Sequence, residues 1–311
     1  MAASTQRHDL LRKRLERFTR LLPGVEQGDV TALHRTRVAS RRLRELLPIL
    51  QLDSEIARKL NRRLRKVTAH LGIVRELDVL LILIDELLES RRHNASALKR
   101  VADEVARDRA RACEKLLEKK LPIAELKRLA RKLGRIVETL EAQDTQASAG
   151  RPARGWQWAL DARIAHRAAS LREALRDAGA VYLPDRLHTV RIAVKKLRYA
   201  LELSAEVSGA GLTPELRALK RAQELLGRLN DLHVLMNRVR QIQASLTPPN
   251  IGVWRELDAL TMAIENSCRR LHARYMRERT VLEAITEQLA RRAGARPAGA
   301  APRAAPRRAA I

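Results

Sequence analysis

Apolar residues recur along this chain at intervals of three and four almost from end to end, while alternation of period two is scarce. That is the pattern of amphipathic helices, not of strands. Leu, Ala, Arg and Glu dominate, all good helix formers, and the breakers fall between the periodic segments. The pattern predicts helices over about 6–22, 30–50, 54–71, 74–91, 95–120, 123–141, 157–178, 185–206, 214–227, 230–245 and 252–292. Asp29 is placed to cap the second of these, and Pro48 to kink or end it. Thr213-Pro214-Glu215 reads as N-cap, first-turn proline and an acid at the positive helix end. Glu76-Leu77-Asp78 falls in the first turn of its predicted helix, where acids suit the dipole. The fold class is all-α.

Two stretches interrupt the pattern. Residues 142–155 form a polar, Gly- and Pro-bearing segment near the midpoint, predicted as a linker. Residues 291–311 carry six Arg and no acid among Ala, Pro and Gly, and are predicted to be a disordered basic tail.

The linker separates two copies of one pattern. LHRTRVASRRLRELLPIL (33–50) and LHTVRIAVKKLRYALELS (187–204) coincide at an offset of 154 in Leu33/Leu187, His34/His188, Arg37/Arg191, Arg41/Lys195, Arg42/Lys196, Leu43/Leu197 and Arg44/Arg198. A second block, 64–84 against 219–239, matches at an offset of 155 in Arg65/Lys220, Lys66/Arg221, Gly72/Gly227 and Val79/Val234, with Arg62/Arg217 just upstream. Such duplication predicts repeat one over about 6–141 and repeat two over about 156–290, as two similar four-helix-type bundles related by a pseudo-twofold.

Helical geometry sorts the repeated residues. At 100° per residue, His34, Arg37, Arg41 and Arg44 fall within an arc of about 80°. Ala39, Leu43, Leu46, Leu47 and Leu50 lie opposite, as a core-facing stripe. The second copy sets His188, Arg191, Lys195 and Arg198 opposite Ala193, Leu197, Ala200 and Leu201. Each ridge is an anion ladder about three turns long. Arg58, Arg62 and Arg65 form a further basic edge on the 54–71 helix. A solvated face mixes signs, because i,i+4 ion pairs favour mixing. These ridges are nearly one-signed, which costs self-repulsion unless an anion neutralises them.

The overall charge agrees. Formal net charge is +26, with Lys and Arg at 62 against Asp and Glu at 36, and 50 of the 62 bases are Arg. Arg presents a planar fork of donors that matches phosphate oxygens. The net charge is +12 over residues 1–150 and +14 over 151–311, so both halves are basic and the tail is not the source. With 45% apolar residues the chain is a foldable globular protein. Seven aromatic residues are too few for a surface on which bases stack. Cys113 and Cys268 cannot build a disulfide framework and point to a reducing compartment. The N-terminus lacks an apolar core of signal-peptide length, and the most apolar run, 77–85, is too short and acidic to span a bilayer. The expectation is a cytoplasmic protein with no membrane partner.

No Walker A loop, Rossmann glycine fingerprint, H-E-x-x-H or E-x-E-x-K signature occurs, so catalysis, a cofactor and a metal site are not expected. Asp85, Glu86 and Glu89 read as a solvated helix face. His34 and His188 stand without Cys or carboxylate at ligand spacing and suit hydrogen bonding to phosphate, more strongly once protonated. Trp156 and Trp158 are placed to anchor the start of the second half.

The paired blocks resemble the CHAD family (conserved histidine α-helical domain). Leu33-His34…Arg37…Arg41-Arg42-Leu43-Arg44 and Leu187-His188…Arg191…Lys195-Lys196-Leu197-Arg198 fit its first motif. Leu71-Gly72…Arg75-Glu76…Val79 and Leu226-Gly227…Asn230-Asp231…Val234 fit its second, with Glu76 where aspartate is usual. The resemblance spans residues 6 to about 290. It implies two bundles around a basic central channel that binds inorganic polyphosphate, and association with polyphosphate granules. Carried over to this chain, the channel residues would be His34, Arg37, Arg41, Arg42, Arg44, Arg62 and Arg65, with His188, Arg191, Lys195, Lys196, Arg198, Arg217 and Lys220 from the second repeat. The rival reading is a nucleic-acid-binding or nucleoid-associated basic protein; under the first, nucleic acid is only a weaker competing polyanion.

Overall fold

The computed structural model describes residues 6–118, 123–148, 155–209, 213–246 and 250–294. Among them are ten α-helices and no strand: α1 (Arg7–Arg20), α2 (Leu22–Glu26), α3 (Val30–Leu46), α4 (Ser54–Glu89), α5 (Ala95–Glu118), α6 (Ile123–Ser148), α7 (Gly155–Ala178), α8 (Pro184–Ser208), α9 (Pro214–Ala244) and α10 (Ile251–Gly294). None of these helices is long and apolar enough to cross a membrane.

The helix ends follow local chemistry. The Asp29 carboxylate accepts from the backbone N–H groups of Thr31 and Ala32 at 3.2 and 2.8 Å and so starts α3. A single 3-10 turn, Leu47–Ile49, closes α3 at Pro48. Asp53 caps α4 in the same way through Glu55 and Ile56. Thr213 caps α9, with Pro214 in its first turn. Gly209 ends α8 at φ 67°, a left-handed conformation that glycine adopts without strain.

Two breaks expected from the sequence are absent. The segments 54–71 and 74–91 are one helix, α4, and 214–227 and 230–245 are one helix, α9. Gly72 and Gly227 therefore lie in helix interiors, and Glu76 stands in the middle of α4, not in a first turn. A lone glycine costs a helix only about 1 kcal/mol, which packing on both sides readily offsets. The expected linker also recedes, since α6 runs on to Ser148; residues 149–154 of it lie outside the described residues, as does 295–311 of the expected tail.

The helices pack in the same order in each repeat. In the first, α1 lies on α3 and α6, α3 on α4, and α4 on α5; in the second, α7 lies on α8 and α10, α8 on α9, and α9 on α10. The apolar interior is not divided at the repeat boundary, however. One core joins Phe18, Leu43, Leu64 and Leu133 of the first repeat to Trp156, Leu197, Leu219 and Tyr275 of the second. The other joins Leu83, Ile84 and Val101 to Leu235, Ile264 and Cys268. The long helices α4, α9 and α10 each feed both cores, and this holds the repeats in fixed relation. Trp156 is buried, as a second-half anchor should be, whereas Trp158 is exposed.

The end of α6 shows why residues beyond 141 are ordered. Asp144 is 4% exposed and accepts from Arg7 Nε at 2.8 Å, with His8 Nδ1 2.9 Å from its other oxygen. Arg7 also donates to the Leu50 carbonyl at 2.9 Å, tying α1, α6 and the end of α3 together. Removing one partner of a buried ion pair leaves an uncompensated charge. Asp144→Ala should therefore cost about 3–5 kcal/mol in urea unfolding, whereas Asp103→Ala, at an exposed site on α5, should stay within about 0.5 kcal/mol. Equal effects would show that the Arg7–Asp144 tie is not structural.

Candidate polyanion site

The ladders of the two repeats meet. α3 packs against α8, and the Lys195 amine lies among the positive charges of Arg41, Arg191 and Arg37. Burial is the first cause and this repulsion the second of a pKa lowered to about 7. Among the described residues, Arg41, Arg191 and Lys195 make no hydrogen bond or ion pair. Arg37 is lowered too, by burial and then by Arg41, with exposed Glu76 as a counter-charge. Four cations from two helices thus share a half-buried seam with scarcely any compensation. A recess of about 350 Å³ opens beside it, lined by Arg191, Lys195, Gln223, Gly227 and Arg228 together with the carboxylates Glu224 and Asp231.

Gly72 explains how Arg37 reaches this position. Its guanidinium lies across the α4 backbone and donates from Nη1 to the Thr68 carbonyl at 2.9 Å. A Cβ at Gly72 would come within 3.3 Å of that nitrogen and 3.5 Å of Cζ. The corresponding contact in the second repeat is looser, with Arg191 Nε 4.0 Å from a Cβ at Gly227. The glycine of the second sequence block therefore serves the arginine of the first.

The outer rungs differ between repeats. His34 is lowered by burial, then by Arg75 and Arg37, with Asp78 opposing them, so it is neutral at pH 7; its Nδ1 is buried without a hydrogen-bond partner. His188 is exposed, 2.7 Å from Asn230 Oδ1. Asn230 Nδ2 donates to Asp231, which turns Oδ1 towards the histidine and makes Nδ1 the donor. His188 can then donate from Nε2 to an anion only when protonated. Arg44 donates from Nε to Asn61 at 3.3 Å and lies near Arg65 and Arg41. Arg198 is engaged: Nε donates to Gln223 at 2.9 Å, Nη1 pairs with Glu202, and its Cζ sits 4.8 Å over the Tyr199 ring.

Most of the remaining expected residues, Arg42, Arg62, Arg65, Arg217 and Lys220, are exposed on α3, α4 and α9. Lys196 lies among Arg167, Glu45, Arg44 and Arg163, a different set of neighbours from those of Lys195. Asp78 accepts from Arg109 Nε at 2.6 Å and fastens α5 to α4. Glu86 is also taken up in an ion pair, with Arg228 of α9.

Sequence reasoning missed Arg163, Arg167 and Arg228. The first two lie on α7 outside the repeated blocks, and their i,i+4 spacing was the available signal. The Gly72 contact makes a stability prediction. A glycine-to-alanine change in a helix interior stabilises by about 1 kcal/mol. At Gly227, where there is room, Ala should deliver most of this. At Gly72 it should displace Arg37 and lose a hydrogen bond of about 1 kcal/mol, leaving urea stability nearly unchanged. Equal stabilisation at both sites would mean that Arg37 does not pack on Gly72.

The comparisons with known proteins agree with this architecture. The CHAD domain of the plant Ricinus communis has a crystal structure that matches with 23% identity and a TM-score of 0.54, over 94% of this chain and 91% of that one. PptA from Streptomyces chartreusis matches with 19% identity and a TM-score of 0.55, over 93% and 98%. At such identities the likeness is one of fold. No curated protein sequence matches the chain. The sequence profile of the CHAD domain matches residues 9–240, well over half of the length and all four repeated blocks, and so the chain belongs to the CHAD family.

Proposed function

We propose that this protein binds inorganic polyphosphate, without turning it over, in a basic channel along the α3–α8 seam, and that this binding brings it to polyphosphate granules. The CHAD family is polyphosphate-associated, which supports the choice of ligand. The observation that carries the reading is the convergence of Arg37 and Arg41 with Arg191 and Lys195, three of them without a counter-ion. A fold that buries like charges together is destabilised by them until an anion arrives. A linear chain of phosphates offers charge-assisted, bidentate contacts to arginine and releases counterions on binding. It presents no base or sugar to be read.

The test is competition at about 150 mM salt between labelled long-chain polyphosphate and single-stranded or duplex DNA, matched by phosphate. Polyphosphate should win by at least tenfold, about 1.4 kcal/mol. Replacing Arg37, Arg41, Arg191 and Lys195 by Ala should abolish that binding with helicity intact. Equal competition by DNA would make nucleic acid the leading partner, and unchanged affinity in the variant would remove the seam as the site. Release of phosphate from polyphosphate incubated with the protein and Mg²⁺ would mark an enzyme instead.

Lys195 adds a pH dependence. Its folded pKa of about 7 is below the unfolded value near 10.4, so the free protein gains stability as pH rises from 7 towards 10. An anion restores the proton, so binding takes one up and weakens with rising pH, by at most about tenfold per unit. Titrations at pH 7, 8 and 9 should show this fall in the wild type and a nearly flat profile in Lys195→Arg. A matching fall in both proteins would exclude Lys195 as its origin.

A further inference from the structure

One residue along α8 from Lys195, Lys196 belongs to a second group of cations, with Arg163 and Arg167 of α7 and Arg44 of α3. Glu45 is the carboxylate paired with two of them. Glu45 Oε2 lies 2.7 Å from Arg163 Nη2 and 3.6 Å from Arg167 Nη2. The side chains of Glu45, Arg163 and Arg167 are only 20%, 16% and 15% exposed. The Nε atoms of both arginines are buried and have no hydrogen-bond partner. Burial and mutual repulsion lower the affinity of Arg167 and Lys196 for their protons, as expected where positive charge outnumbers negative.

Arg167 and Lys196 also line a recess of about 260 Å³ between α7 and α8, together with the hydroxyl-bearing Ser170 and Thr189. Glu173 and Asp177 line it as well, so an anion there would be held towards its basic side. The group is joined to the seam through Arg44, which lies near Arg41 as well as Lys196. Glu45 is not part of the repeated motif: the second repeat has Tyr199 at that position. The carboxylate is a feature of one repeat alone, set where the anion ladder continues.

We propose that Glu45 is a built-in competitor for phosphate, occupying an extension of the anion track formed by Arg44, Lys196, Arg163 and Arg167, and that a polyphosphate chain long enough to run past the seam displaces it. This rests on the polyphosphate reading above and adds selection for chain length to it. A short chain is satisfied by the seam and leaves Glu45 in its ion pairs. A long chain brings several phosphates to Arg163 and Arg167, whose unused Nε–H groups give it donors that Glu45 does not fill. Binding should then strengthen with length beyond the statistical gain from extra binding registers.

The test compares tripolyphosphate with chains on the order of 100 phosphates, by calorimetric titration of the full chain, in the wild type, Glu45→Gln and the Arg163→Gln/Arg167→Gln pair. Comparing variants cancels the register statistics. Glu45→Gln should tighten the long chain about three- to tenfold and leave tripolyphosphate within about twofold. The paired arginine variant should weaken the long chain about tenfold, again sparing tripolyphosphate. An unchanged long-to-short ratio in both variants, or weaker long-chain binding in Glu45→Gln, overturns the competitor role while leaving the seam intact. A wild type that binds neither polymer overturns the polyphosphate reading and this one with it. If circular dichroism shows Glu45→Gln unfolded, the paired arginine variant decides alone.

Discussion

Like-charge crowding at the α3–α8 contact is the constraint on which the rest of the structure turns. Two unit charges 4 Å apart repel by about 1 kcal/mol in bulk water and about 4 kcal/mol at an effective dielectric of 20. Helices carrying Arg37, Arg41, Arg191 and Lys195 towards one another would separate if nothing else held them. What holds them is apolar packing on their opposite faces: Leu43 and Leu46 of α3 and Leu197 and Val194 of α8 all enter one core. That core crosses the repeat boundary, so the two ladders cannot drift apart independently. The seam's like charges are kept together by the interior, which is how a set of cations stays preformed.

Much of this was legible in the sequence, for identifiable reasons. A one-signed face at helical spacing, repeated at an offset of 154, stands out because ordinary surface helices mix their charges. That pattern singles out Arg37, Arg41, Arg191 and Lys195, whose side chains the structure brings together. Helix lengths were less legible because Gly72 and Gly227 looked like breaks. Their reason lies in another helix, where Arg37 needs the space a side chain would fill. Asp144 was misjudged for the same reason. Its local composition is that of a loop, and its partner Arg7 is more than a hundred residues away. Local pattern registers faces and caps; it does not register what a distant side chain will press against.

The repeats have also diverged where the sequence suggested equivalence. His34 is crowded by Arg75 and kept neutral, whereas His188 is oriented by Asn230. Arg44 donates to the neutral Asn61, whereas Arg198 is held by Glu202 and Gln223 over Tyr199. The rungs that meet are all cationic, though Arg37 is held more tightly than Arg191, and the ladders differ more towards their ends. Duplication supplies two copies of a basic helix, and each copy is then free to neutralise or retain its outer charges. The surface that the two helices form together therefore has unlike flanks.

Shape separates the two polyanions that compete for this reading. Packed helices stand about 8–10 Å apart, so a cation lying between them, as Lys195 does, is reached by a thin chain far more readily than by a duplex. A duplex offers dense charge, one per 1.7 Å of axis, but only to groups that extend out to meet it. Single-stranded nucleic acid is thin enough, yet it gains much of its affinity from stacking on aromatic side chains. Tyr199, held beside Arg198 at the seam, is one of only seven aromatic residues in the chain. On the proposed reading, crowded guanidinium and amine groups with so little aromatic surface would favour phosphate alone, and the affinity would depend on salt and on the protonation of Lys195 more than on anything a base could supply.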